Sequence, residues 1–66
     1  MIKYNSIEEV KTAVNSGVAV NWLTALYVVK IDFEGDYIIK STSTAGQELL
    51  SDQMNPNDFF TNTKTL

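Results

Sequence analysis

The sequence predicts an α+β fold: one N-terminal helix packed on a three- to four-stranded antiparallel meander, with a short C-terminal helical turn. Three observations predict it. A capping box opens a run with helical spacing. Three alternating, β-branched runs follow. An Asp- and Gly-bearing turn joins the last two in a register that keeps their apolar residues on one face.

The helix comes first. In Ser6-Ile7-Glu8-Glu9 the Ser6 hydroxyl can accept from the Glu9 amide, and the Glu9 carboxylate can reach back to the Ser6 amide. Glu8 and Glu9 also meet the positive end of the helix dipole. Ile7, Val10, Ala13 and Val14 form one apolar stripe, and Gly17 follows it as a C′ glycine should. The pattern predicts a helix over residues 7–16. A helix this short is marginal alone, so its stripe must dock on something.

Residues 18–22 alternate as a strand, with Val18, Val20 and Trp22 on one face. Residues 23–26 are expected to connect it to a second strand, residues 27–31, with Tyr27, Val29 and Ile31 on one side. Residues 37–41 form a third. Two turn registers compete between the second and third strands. A two-residue Glu34-Gly35 turn pairs Val29 with Lys40 and mixes a lysine into the apolar face. A type I turn from Asp32 to Gly35, closed by a glycine bulge, pairs Ile31 with Tyr37 and Val29 with Ile39. A one-residue slip would invert the whole pattern, so the second register is expected. It leaves Phe33 at an exposed tip. Pairing Trp22 with Tyr27 likewise sets Val20 opposite Val29, and the helix is expected on this shared face.

Beyond residue 41 the signal weakens. Residues 42–46 read as a small polar loop and residues 47–51 as an edge strand, one helical turn being the alternative. Asn55-Pro56-Asn57-Asp58-Phe59-Phe60 reads as an N-cap, a proline at N1 and a single helical turn. Phe59 or Phe60 would close the end of the core. Residues 61–66 read as a frayed tail. Residues 1–66 together read as a single small domain without a repeat or linker.

Composition excludes much chemistry. A chain of 66 residues buries only about 60% of the surface its unfolded form exposes. It has no Cys, so no disulfide, thiolate nucleophile or zinc-thiolate site. It has no His, the usual general base near neutral pH, and no Arg, the usual carboxylate or phosphate clamp. No cofactor is expected, and no enzyme activity. The net charge of −3, with Lys3, Lys11, Lys30, Lys40 and Lys64 dispersed along the chain, argues against nucleic acid as a ligand. The longest apolar stretch, residues 18–29, is too short for a membrane helix, and residues 1–4 carry no signal-peptide pattern. No membrane association is expected, and a cytoplasmic location is.

Candidate chemistry is sparse. Asp32, Glu34 and Asp36 cluster at one hairpin. Their spacing lacks the calcium-loop pattern, and they read as a solvated turn. Ser41, Ser43 and Thr44 are hydroxyls without a base. The second sheet face is more informative. Ala19, Leu23, Leu26, Val28 and Ile38 lie there among Asn21, Lys30, Lys40 and Thr42. Either the C-terminal segment covers this mixed face, or it is a partner or homodimer surface. Candidate partner-binding residues are Leu26, Val28, Lys30, Ile38 and Lys40 on the face, with Asp32, Phe33, Glu34 and Asp36 at the turn.

Three stretches carry a resemblance: Ser6-Ile7-Glu8-Glu9-Val10-Lys11 with Ala13-Val14, Gly17, Val20 and Trp22; the Asp32…Gly35…Tyr37…Ile39 hairpin; and the Asn55-Pro56…Asp58-Phe59-Phe60 ending. Together they resemble small uncharacterised proteins encoded by tailed bacteriophages and prophages. The resemblance implies a protein that binds and inhibits a host enzyme or immune system inside the bacterial cell. It supplies no catalytic residues. The other expected function is a self-assembling structural or accessory protein, a homo-oligomer within a virion or complex.

Overall fold

The computed structural model describes residues 1–62. Along the chain run β1 (Ile2–Lys3), α1 (Ile7–Asn15), β2 (Asn21–Trp22), β3 (Thr24–Ile31), β4 (Tyr37–Ser41), β5 (Gln47–Leu49), a 3-10 turn (Pro56–Asp58) and β6 (Phe59–Thr61). The strands form one antiparallel sheet in the order β1-β6-β2-β3-β4-β5. The fold is α+β as expected, but the sheet has six strands where three or four were predicted.

Local signals act as their chemistry requires. The Ser6 hydroxyl accepts from the Glu9 amide at 3.1 Å. The return bond goes one residue further out than expected, from the Asn5 amide to Glu9 Oε1 at 2.9 Å. At the other end Gly17 takes φ +88°. The Gly17 amide donates to the Val14 carbonyl and the Val18 amide to that of Ala13, a Schellman closure that satisfies two terminal carbonyls.

The β3–β4 hairpin adopts the in-phase register, with Ile31 opposite Tyr37 and Val29 opposite Ile39. The Gly35 amide donates to the Asp32 carbonyl at 3.0 Å, and Gly35 has φ +90°. Asp32 Oδ1 accepts from the amides of Glu34 and Asp36, both at 2.9 Å. One carboxylate thus anchors the whole turn.

The β2–β3 connection is tighter than predicted. Asn21 faces Val28, and the Val29 amide donates to the Val20 carbonyl, so the expected Val20–Val29 alignment holds. Trp22 then pairs with Thr24 rather than Tyr27, across a bulge. Leu23 alone makes the reversal, at φ +64°, instead of a connection spanning residues 23–26. The bulge would strand carbonyls, and the Asn21 side-chain amide donates to those of Ala25 and Tyr27. The Trp22 and Tyr27 rings still meet edge to face at 5.5 Å.

The largest departure is at the C-terminus. The predicted helical turn is a 3-10 turn, capped by Asn55, whose side chain accepts from the Asn57 amide. It ends at Asp58, where Phe59-Phe60-Thr61 begins a strand. Aromatic and β-branched residues suit a pleated surface, and β1 and β2 are two-residue strands whose facing backbones both need a partner. β6 fills that gap, pairing Lys3 with Phe60 on one side and Trp22 with Phe59 on the other. Thr61, expected in a frayed tail, is a buried member of β6. Asn62 follows β6 and is exposed, and residues 63–66 of that expected tail lie outside the described residues.

The core comprises Tyr4, Ile7, Val10, Val20, Val29, Ile39 and Phe59, with Trp22, Leu50 and Met54 among its partly buried margin. Phe59 is fully buried at its centre rather than closing its end. Val18 and Ile31, placed by the alternation on the core face, are 40% and 42% exposed. Neither belongs to the core cluster.

A buried polar chain ties the termini. Thr61 Oγ1 donates to the Ala19 carbonyl at 2.8 Å. That commits its single hydrogen, so the Tyr4 hydroxyl is the donor in the 2.6 Å bond to Thr61 Oγ1.

Two substitutions test this core by urea unfolding. Phe59→Ala is expected to cost about 3–5 kcal/mol, comparable to the whole stability of a domain this small, and to abolish the cooperative transition. Tyr4→Phe is expected to cost about 1 kcal/mol. Phe33→Ala, at a fully exposed tip, serves as the control and is expected to shift nothing.

Candidate functional site

Alternation from the register places Val20, Val29, Ile39 and Phe59 under the helix and sends their neighbours to the opposite face. On β3 and β4 these are Val28, Lys30, Ile38 and Lys40, with Leu26 at the start of β3. Val28 lies opposite Lys40, and Lys30 opposite Ile38. The two lysines therefore hold one diagonal and the two aliphatics the other.

Neighbouring strands extend this face. Leu49 of β5 lies beside Ile38, and Gln47 beside Lys40. On the other flank Phe60 of β6 lies beside Asn21, and Lys3 of β1 beside Phe60. The Lys3 ammonium stands 5.9 Å from the centre of the Phe60 ring, and it also donates to the Asn57 carbonyl. Ile38 and Phe60 are buried yet lie outside the core cluster. Leu26 and Leu49 remain more than half exposed. The described part of the C-terminal segment, through residue 62, does not fold over this face. It contributes Phe60 and Leu49 within the sheet, while Phe59, Leu50 and Met54 go to the helix side. The described elements thus supply no second layer here.

Lysines dispersed in sequence converge in space. Lys3, Lys30 and Lys40 share this face. Lys11 lies elsewhere, paired with Asp52 at 3.3 Å and set 5.5 Å from the Tyr37 ring. Most acids lie away from the face. Glu8 and Glu9 are in the first turn of the helix, and Glu48 alternates to the helix side. Asp58 is the exception, lining the corner beside Lys3 and Phe60.

The other expected residues stand apart from this surface. Asp32, Phe33, Glu34 and Asp36 form the tip of the β3–β4 hairpin, and Phe33 is 97% exposed. The three carboxylates offer oxygens within 4.8 Å of one another. Asp32 Oδ1 is already spent on two backbone amides. The arrangement is that of an acidic turn held by its own cap.

On the helix side a hollow of ≈ 270 Å³ opens beside Trp22 and Tyr27, rimmed by Ser41, Thr44 and Glu48. Glu48 is the only charged group on its wall among the described residues. Trp22 Nε1 is buried and finds no acceptor among the described residues, a cost of about 1–3 kcal/mol by the usual penalty for an unmet donor. No helix among the described residues is long and apolar enough to cross a membrane.

Sequence reasoning missed four members of the second face, Lys3, Gln47, Leu49 and Phe60. Gln47 and Leu49 were legible, because Gln47-Glu48-Leu49 alternates as an edge strand must. Lys3 and Phe60 were not, since their pairing joins the two ends of the chain.

The turn chemistry makes a graded prediction for urea midpoints. Asp32→Ala removes the acceptor of two amides and is expected to cost about 1–2 kcal/mol. Asp32→Asn keeps an oxygen and is expected to cost less than half of that. Gly35→Ala meets no neighbouring atom, so its expected cost of about 1 kcal/mol comes from the positive φ alone.

Neither a family model nor a curated protein nor a solved structure matches this chain.

Proposed function

We propose that this chain is a non-enzymatic binding protein that works through the second sheet face, and that its target is a protein of a bacterial host which it inhibits. One observation carries the reading: an apolar face framed by lysines, to which the described elements add no covering layer. Exposed apolar patches of this kind usually mark interaction sites. The composition supports the non-enzymatic part, because a chain without Cys, His or Arg lacks the common nucleophile, base and anion clamp. The phage setting rests on the sequence resemblance.

Self-assembly through the same face is the less favoured reading. A two-fold docking brings the same surface patch to itself, and here that patch carries three lysines against the single corner carboxylate of Asp58.

Capture experiments test the proposal. The immobilised chain is expected to retain a host protein from bacterial lysate, and the L26E/L49E variant is expected to lose it. Both leucines are exposed, so the variant is expected to keep its urea midpoint within about 0.5 kcal/mol of the parent. Equal capture by parent and variant would place the contact elsewhere. A concentration-dependent dimer in sedimentation, abolished by L26E/L49E, would support the self-assembling alternative instead.

A further inference from the structure

We infer that the occupant of the second sheet face is an acidic, aliphatic-rich polypeptide segment. This rests on the binding reading above and goes further by naming the chemistry of the partner.

The charge layout carries the inference. The molecule is acidic overall, at −3, yet three of its five lysines stand on one sheet face. A cross-strand row runs Lys3, Phe60, Asn21, Val28, Lys40 and Gln47. Strands spaced about 4.8 Å apart put the backbones of Lys3 and Lys40 roughly 19 Å from each other. Lys30 lies two residues from Val28 along β3, about 7 Å away. The three lysines therefore flank, on the same face, a half-buried Val28 and a buried Ile38, with Leu26 and Leu49 exposed at the margins. A complementary surface places carboxylates over the lysines and aliphatic side chains over these aliphatics.

Other occupants fit less well. A second copy docked face to face meets cation with cation. Single-stranded nucleic acid needs rings on which bases can stack. The ring this face offers is Phe60, which is buried and already lies below Lys3.

Amide chemical shifts of the isotope-labelled full chain test the inference against three probes at low salt. These are a soluble peptide alternating Glu and Leu, its counterpart alternating Lys and Leu, and a single-stranded oligothymidine. The Glu/Leu peptide is expected to move the amides of Lys3, Val28, Lys30, Lys40 and Phe60. The other two are expected to leave them unmoved. K30E/K40E is expected to weaken the Glu/Leu peptide by at least roughly tenfold, since it removes two exposed charge pairs and adds two like charges. High salt is expected to weaken it in the parent as well. The inference is overturned if the Lys/Leu peptide binds equally, if oligothymidine binds more tightly, or if K30E/K40E leaves the affinity unchanged. A captured host protein that depends on Leu26 and Leu49 but ignores K30E/K40E would sink this inference while leaving the proposed function standing.

Discussion

The structure depends on the insertion of β6 between β1 and β2. Those flanking strands are two residues each and hold together only through the strand between them. The insertion delivers Phe59 into the centre of the core, where it meets Trp22 with ring centres 6.3 Å apart. It also sets Thr61 where its hydroxyl can bridge Tyr4 and the Ala19 carbonyl. A chain of this length has little apolar area to bury. Recruiting its last described strand between β1 and β2 brings residues from both ends of the described chain to bear on one core. The cost is kinetic as well as entropic, because contacts between distant residues close the longest loops.

The same economy leaves the second face without a covering layer among the described elements. One nine-residue helix covers one side of a six-stranded sheet. No described element remains to cover the other. Ile38 and Phe60 are shaded there by neighbours in the sheet, among them the lysines, whose aliphatic stems can lie along apolar surface while their charges stay in water. The lysines give this surface a charge opposite to that of the molecule as a whole. The two edge strands, β1 and β5, are short, which limits pairing with other chains along the edge. The face is therefore the larger surface that the described elements leave open.

Legibility followed the range of the interactions. The Ser6 cap, the C′ glycine at Gly17 and the Asp32–Gly35 turn each lie within a few residues of sequence and formed as read, while the return bond from Glu9 moved one residue out, to the Asn5 amide. The β3–β4 register was legible because a single slip would have moved Lys40 into the core. β6 was hidden for a physical reason. Asn55-Pro56 announces a helical turn, and it does make one, but the next three residues answer to the empty space between β1 and β2. Nothing local marks that space. The candidate face was legible where it lay within one hairpin, at Val28, Lys30, Ile38 and Lys40. Its extension to Lys3 and Phe60 waited on the long-range pairing, and so did the recognition that lysines dispersed in sequence converge in space.

Ending the chain after Asp58 is the most direct measurement of the central claim. The truncated protein keeps the helix, the capping box and the β3–β4 hairpin but loses Phe59, Phe60 and Thr61. If β6 holds the fold together, urea titration will show no cooperative transition, and the near-ultraviolet signal of Trp22, the one tryptophan, will be lost. A cooperative transition with a midpoint near that of the full chain would contradict the account. It would show that the helix and hairpins stand without the strand placed here at their centre.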